Sequence, residues 1–228
     1  MSAQLHHLRA AAVNIDGVLL TDSFSPVIHQ FVVSRGGEYT QAVEQSVFSR
    51  TPETAARALA RAAGVAMETG EVLQTYFAER EKYLIDHPVR QLPGARELLI
   101  RLRALGLEVV CYGGLSRDHF SRYLEDCAGL FTTGYICTAE FRPGMREITT
   151  ELGLRYDQML FIDDVAQVAE EAKRLGAAFI GHPSDFVHGF QRQLMAACGV
   201  RYLVDRLEDI DESLLHRIDA EMAAAAFG

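Results

Sequence analysis

Short apolar runs alternate with amphipathic stretches along most of the chain. The runs at residues 12–15, 109–112, 135–137, 159–162 and 177–180 are too short for helices and sit between turn signals. Each predicts a buried strand. Stripes of helical spacing separate several of them. Leu98, Leu99, Leu102 and Leu105 share a face before Gly106, and Met145, Ile148 and Leu152 do so before Gly153. Val165, Val168, Ala172 and Leu175 form a third stripe before Gly176. Glycine just past a helix accepts a left-handed backbone and stops it. Helix, stop and apolar strand, repeated, predict an α/β fold with a parallel sheet covered on both faces. Residues 202–204 are expected to add an edge strand, and residues 211–226 a closing helix.

Residues 23–90 break this rhythm and carry only helical patterns. Ser25-Pro26 opens one helix and Gly36-Gly37 stops it, because proline suits a first helical turn. Thr51-Pro52 opens an alanine-rich helix that ends near Gly64, and Val72, Leu73, Tyr76, Phe77, Tyr83 and Leu84 trace a face along a third. The segment is too long for an ordinary crossover between strands. It predicts a smaller all-helical cap domain at 22–90, set on an α/β core built from 1–21 and 91–228. The hinges are expected at 19–22 and 88–93.

Composition narrows the function. The 228 residues include 22 basic and 31 acidic side chains, a formal net charge of −9. That balance argues against a nucleic-acid partner, which favours a basic face. No apolar run approaches the roughly 20 residues needed to cross a bilayer, so no membrane partner is expected. The first ten residues lack an apolar signal core, which predicts a cytoplasmic chain. Cys111, Cys127, Cys137 and Cys198 show neither a CxxC pair nor metal-ligand spacing, so they are expected as buried free thiols in a reducing compartment.

Open α/β sheets bind ligands beyond the carboxyl ends of their strands. Those ends carry Asn14 and Asp16 after the first run, Gly113, Gly114 and Ser116 after the second, and Asp163-Asp164 after the fourth. If the first and fourth strands are neighbours, Asn14, Asp16 and Asp163 converge on one pocket. Such an oxygen-rich set suits Mg²⁺. The aspartate pair also suits the cap of the following helix. Ser116 fits an N-cap and Cys111 a buried strand residue. His182 and His188 follow the fifth strand, within reach of the pocket rim.

Taken together, the run Asn14-Ile15-Asp16-Gly17-Val18-Leu19, then Leu92-Pro93-Gly94, Arg142-Pro143 and Phe161-Ile162-Asp163-Asp164, resembles the motif series of the haloacid dehalogenase superfamily. The resemblance spans nearly the whole chain. It implies a Rossmann-like core with a mobile helical cap, Mg²⁺-dependent chemistry of the phosphatase type, and a small phosphorylated or acidic partner. It also implies a metal site at Asn14, Asp16, Asp163 and Asp164, with phosphate or ligand held near Gly113, Gly114 and Ser116.

The departures from the pattern change the expectation. Asn14 stands where the superfamily has a nucleophilic aspartate, and a neutral carboxamide is a poor nucleophile. Gly113 stands where a serine or threonine hydroxyl is usual, and Arg142 replaces a lysine with a planar fork. Asp16, the implied general acid/base, is retained and argues against the dehalogenase branch. The leading expectation is a phosphatase-type protein with weak or no phosphohydrolase activity and with Mg²⁺ weakly held or absent. Restoring Asn14→Asp is expected to recover a little activity, and Gly113→Ser to add more. The alternatives are an active Mg²⁺-dependent phosphatase working through metal-activated water, and a non-catalytic regulatory or interaction protein.

Overall fold

The first strand, β1 (Ala10–Asn14), reads Ala-Ala-Ala-Val-Asn, and all five residues are buried. Such small side chains suit the middle of a sheet packed on both faces. The order across the sheet is β3-β2-β1-β4-β5, with β2 at Glu108–Gly113, β3 at Ile136–Cys137, β4 at Met159–Asp163 and β5 at Ala178–Gly181. Every pairing is parallel. The register sets Asn14 beside Tyr112, Val13 beside Ile162 and Asp163 beside Gly181. The carboxyl ends of the central strands therefore finish at one level. The structure is a computed structural model and describes residues 4–226.

Ten α-helices surround the sheet among the described residues: α1 (Ser25–Val33), α2 (Gln41–Val47), α3 (Pro52–Ala63), α4 (Thr69–Asp86), α5 (Ala95–Ala104), α6 (Arg117–Leu124), α7 (Met145–Glu151), α8 (Ala166–Leu175), α9 (Gln191–Cys198) and α10 (Glu212–Ala226). Successive strand residues point to opposite faces, so each strand feeds two cores. Ala11, Val13, Val109, Cys111 and Ile162 share one with Leu98, Leu99 and Leu102 of α5 and Leu215 of α10. Ala10, Ala12, Tyr112 and Phe161 share the other with Ile148 of α7 and Val168 of α8. The expected edge strand at 202–204 does not form. It makes one parallel bridge, Leu203 to Gly181, with the Gly181 N–H donating to the Tyr202 carbonyl at 2.8 Å.

The insertion between β1 and α5 contains helices only, four rather than the three expected. The additional one, α2, starts at Thr40, whose hydroxyl accepts from the Val43 N–H at 3.4 Å. Val27, Phe31, Leu59 and Val72 of the insertion belong to the same core as Ala12 and Phe161. The insertion is thus packed continuously onto one face of the sheet. Its two connections run side by side: the Thr21 N–H donates to Arg90 O and the Leu92 N–H to Leu19 O, both at 2.9 Å. Leu20 and Gln91 form an antiparallel bridge between them.

Candidate functional site

After Asn14 the chain turns sharply. The Gly17 N–H donates to Leu20 O at 2.9 Å, and the Leu20 N–H returns to Ile15 O at 2.8 Å. Gly17 holds this turn with φ +84, and a Cβ there would lie 2.2 Å from Asp164 Oδ2. Only glycine meets both demands. The turn brings the Asp16 carbonyl and the Asp164 carboxylate together around Asn14. The Asn14 amide nitrogen donates to Asp16 O at 2.7 Å and to Asp164 Oδ1 at 3.0 Å. Both partners are acceptors, which fixes the amide with nitrogen toward them and oxygen away.

Asp163 and Asp164 play different parts although they are adjacent. Asp163 is fully buried, its Oδ2 bonded to the Tyr112 hydroxyl and its Oδ1 accepting from the Val165 N–H at 2.8 Å. Burial raises its carboxyl, while the Arg142 guanidinium and these bonds pull it down. Asp164 stands well above the usual carboxylate range, chiefly through burial and then the neighbouring charges of Asp163 and Asp22.

Asp16 has a partner that the sequence did not reveal. His119, in the first turn of α6, places Nε2 2.8 Å from Asp16 Oδ1, and both side chains are about one-tenth exposed. Arg142 is also anchored: its Nη1 donates to Thr138 Oγ1 at 3.0 Å. Thr138 is buried, and its N–H and hydroxyl both donate to the Gly113 carbonyl, at 2.7 and 3.1 Å.

A cavity of about 170 Å³ lies between these strand ends and the insertion. Asn14, Asp16, Gly114, Arg142 and Asp164 line it on the sheet side, and Phe24, Ile28, Leu59, Tyr76 and Phe77 on the helical side. Asp163, Gly113 and Ser116 are not among its lining residues. Ser116 is the exposed N-cap residue of α6, with no side-chain capping bond. A Cβ on Gly113 would lie 2.4 Å from Ile15 Cγ2 and 3.0 Å from the Tyr135 hydroxyl. The space in which a serine or threonine side chain would begin is therefore filled. Ile15 thus stands against the expected benefit of Gly113→Ser.

Cys111 points into the core on the α5 side, and burial pushes its thiol up. The four cysteines are free thiols; Cys111 and Cys127 are buried as expected, whereas Cys137 is exposed and Cys198 half-buried. His182 is buried, with Nδ1 2.9 Å from Gly17 O, so it braces the turn. His188 stacks on His29 instead, with ring centroids 4.4 Å apart.

The donor set does not fit Mg²⁺. Hard cations take oxygen ligands, and carboxylates above all. Here the three groups that would converge on a cation are already joined by the Asn14 NH₂ group. Both Asp163 oxygens are spoken for, and one Asp16 oxygen is paired with His119. Among the described residues, no group of three or more His, Cys, Asp or Glu side chains is placed to hold a metal ion. Of the expected ligand set, Asn14, Asp16 and Asp164 meet at the cavity, whereas Asp163 is turned toward Tyr112 and Val165.

Neither a family model nor a curated protein sequence matches this chain. Solved structures do. A β-phosphoglucomutase from Clostridium difficile superposes with a TM-score of 0.68 at 11% identity, covering 95% of this chain and 99% of that one. A phosphonoacetaldehyde hydrolase-like protein from Oleispira antarctica gives 0.66 at 16% identity, covering 98% and 97%. A haloacid dehalogenase-like protein from Agrobacterium tumefaciens gives 0.65 at 16% identity, covering 95% and 99%. Among the described residues, no helix is long and apolar enough to cross a membrane. The five-stranded parallel sheet, its strand order and the helical insertion after β1 give the chain the haloacid dehalogenase-like fold.

Proposed function

We propose that this protein is a phosphatase-type haloacid dehalogenase-like protein that binds a small acidic or phosphorylated molecule and hydrolyses phosphate esters weakly or not at all. One observation carries the reading: the Asn14 amide donates to both Asp16 O and Asp164 Oδ1. An aspartate at that position would turn a carboxylate oxygen toward two other acceptors, an arrangement that needs a cation or a proton between them. Asparagine supplies the positive end itself. It holds the cluster together without metal, and its neutral oxygen lacks the charge for attack on phosphorus.

Arg142 is the natural seat for the ligand's anionic end. Its guanidinium offers a planar fork to an oxyanion, and Thr138 fixes its position. Gly114 faces the cavity with open space around its Cα, so a ligand group can approach the backbone closely. The chain is then a cytoplasmic binding protein rather than a nucleic-acid or membrane partner, in keeping with its net charge of −9.

The Asp16–His119 pair favours a second reading, a hydrolase that activates water with a carboxylate–imidazole base. A phosphoester panel with Mg²⁺, run on the unmodified protein, Asn14→Asp and His119→Ala, separates the two. Background rates for the unmodified protein and a gain in Asn14→Asp support the binding reading. Robust turnover that His119→Ala abolishes supports the hydrolase.

A further inference from the structure

We infer that the helical side of the cavity recognises a hydroxyl group on the ligand through Asp22 and Tyr76; this rests on the cavity being the ligand site. Among the described residues, the buried side-chain atoms without a hydrogen-bond partner in the protein are Asp22 Oδ2, Ser49 Oγ, Tyr76 Oη and Thr133 Oγ1. Asp22, Ser49 and Tyr76 all line this one cavity. Buried polar groups are ordinarily paired, so three unpaired ones lining one cavity point to a partner that the protein itself does not supply.

Each group is held in place by its other contacts. Asp22 Oδ1 accepts from the N–H groups of Phe24 and Ser25 at 2.9 and 3.0 Å, which fixes the carboxylate and leaves Oδ2 over. Tyr76 is 6% exposed; its ring stacks on Phe24 at 6.5 Å and meets Phe77 edge-on at 5.4 Å. Phe24 is steadied in turn by the Arg80 guanidinium, 5.1 Å from its ring and bonded to Ser23 Oγ at 2.7 Å. Ser49 has φ 53, the one positive value at a non-glycine position among the described residues. Backbone strain of this kind persists where the surroundings enforce it, often at ligand clamps.

The chemistry of the two principal groups defines the ligand. An ionised Asp22 oxygen only accepts, whereas the Tyr76 hydroxyl carries a proton to donate. Burial keeps that hydroxyl protonated, reinforced by the charges of Asp22 and Asp16 against Arg80. A ligand hydroxyl satisfies both at once, donating to Asp22 Oδ2 and accepting from Tyr76 Oη. An ether or ketone leaves Asp22 unpaired, and an ammonium leaves the Tyr76 proton without an acceptor. The same cavity carries an apolar lining that includes Ile28, Phe48, Leu59 and Val72. The class is therefore a small hydroxylated acid with an apolar body.

Two matched pairs of acids probe this: 4-hydroxybenzoate with benzoate, and 6-hydroxyhexanoate with hexanoate. Calorimetry is run on the unmodified protein, Tyr76→Phe and Asp22→Asn. The hydroxylated member of a pair should bind the unmodified protein about tenfold tighter. Either substitution should bring the two members of a pair near parity, whatever it does to the affinity of the plain acid. The thermal midpoint of ligand-free Tyr76→Phe should hold or rise, because the lost hydroxyl has no partner there. Equal affinity within both pairs overturns the inference and leaves the acid-binding reading standing. Binding by none of the four acids overturns both. A lower midpoint for ligand-free Tyr76→Phe also overturns the inference, since it shows the hydroxyl to be structural.

Discussion

Glu44 fastens the helical insertion to the rest of the molecule, and Glu44→Ala should release it. The residue lies on α2 and is fully buried. Its Oε1 accepts from the Tyr39 hydroxyl and the Phe190 N–H, both at 2.9 Å, and its Oε2 from Gln191 Nε2 at 2.8 Å. Gln191 passes the link on, because its Oε1 accepts from the Ala166 N–H at 2.8 Å in the first turn of α8. Hydrogen bonds to a charged group contribute about 1.5–3 kcal/mol each, which sets a gross value for three of them. Burial of the carboxylate works against this sum and raises the Glu44 carboxyl. Tyr39 and Phe190 are half-buried, so water recovers part of what they lose. The net loss should be about 3 kcal/mol, in the range for breaking a buried charged contact. Urea denaturation measures it, and limited proteolysis at 19–22 and 88–93 reports whether the insertion detaches first. A loss below about 0.5 kcal/mol, the scale of an ordinary surface substitution, with unchanged proteolysis would refute the reasoning.

Other consequences are open to test. Because Glu44 binds its proton more tightly in the native state, stability should fall as pH rises from the ordinary glutamate value of 4.5 toward the raised native one. Glu44→Gln should flatten that slope in denaturation curves taken across pH. Asp219 behaves oppositely: burial pushes its carboxyl up, but the N–H groups of His6, His7 and Leu8, donating at 2.9, 2.9 and 2.7 Å, together outweigh it and leave the carboxyl below its usual value. Its contribution is present above the ordinary aspartate value of 3.8 and lost as pH falls through the native one, and Asp219→Ala should cost about 2–4 kcal/mol near neutrality in the same experiment. Gly113→Ser should lower the thermal midpoint and add nothing to the activity of Asn14→Asp, since Ile15 Cγ2 fills the space; a more-than-additive gain in turnover would restore the hydroxyl reading of that position.

The sheet was legible because three of its five strands, β2, β4 and β5, follow a helical stripe and a glycine stop, and all five are short apolar runs. The α2 helix escaped because Gln41–Val47 is seven residues long and mostly polar, leaving Thr40 as its sole signal. Residues 202–204 read as a strand because they are apolar, yet they meet only the end of β5 at Gly181. The site was legible as far as strand ends can be read. Asn14, Asp16, Arg142, Gly114 and Asp164 do gather at one cavity. The roles of Asp163 and Asp164 depend on which side chain the pleat turns toward Tyr112, and motif spacing does not contain that. His119 reaches Asp16 across 103 positions in the sequence, and its helical spacing gives no sign of it. Asp22, Ser49 and Tyr76 come from three separate segments, and only packing brings them to one cavity.

The central claim is that the Asn14 amide replaces a cation at the strand ends. Calorimetric titration of Mg²⁺ into the unmodified protein and into Asn14→Asp tests it most directly, since no substrate or turnover is involved. Asn14→Asp restores a full negative charge facing Asp16 O and Asp164 Oδ1, now 2.7 and 3.0 Å from the amide nitrogen. It should bind Mg²⁺ at least about tenfold tighter than the unmodified protein. Equal affinity in the two proteins would contradict the claim and remove Asn14 from any metal shell.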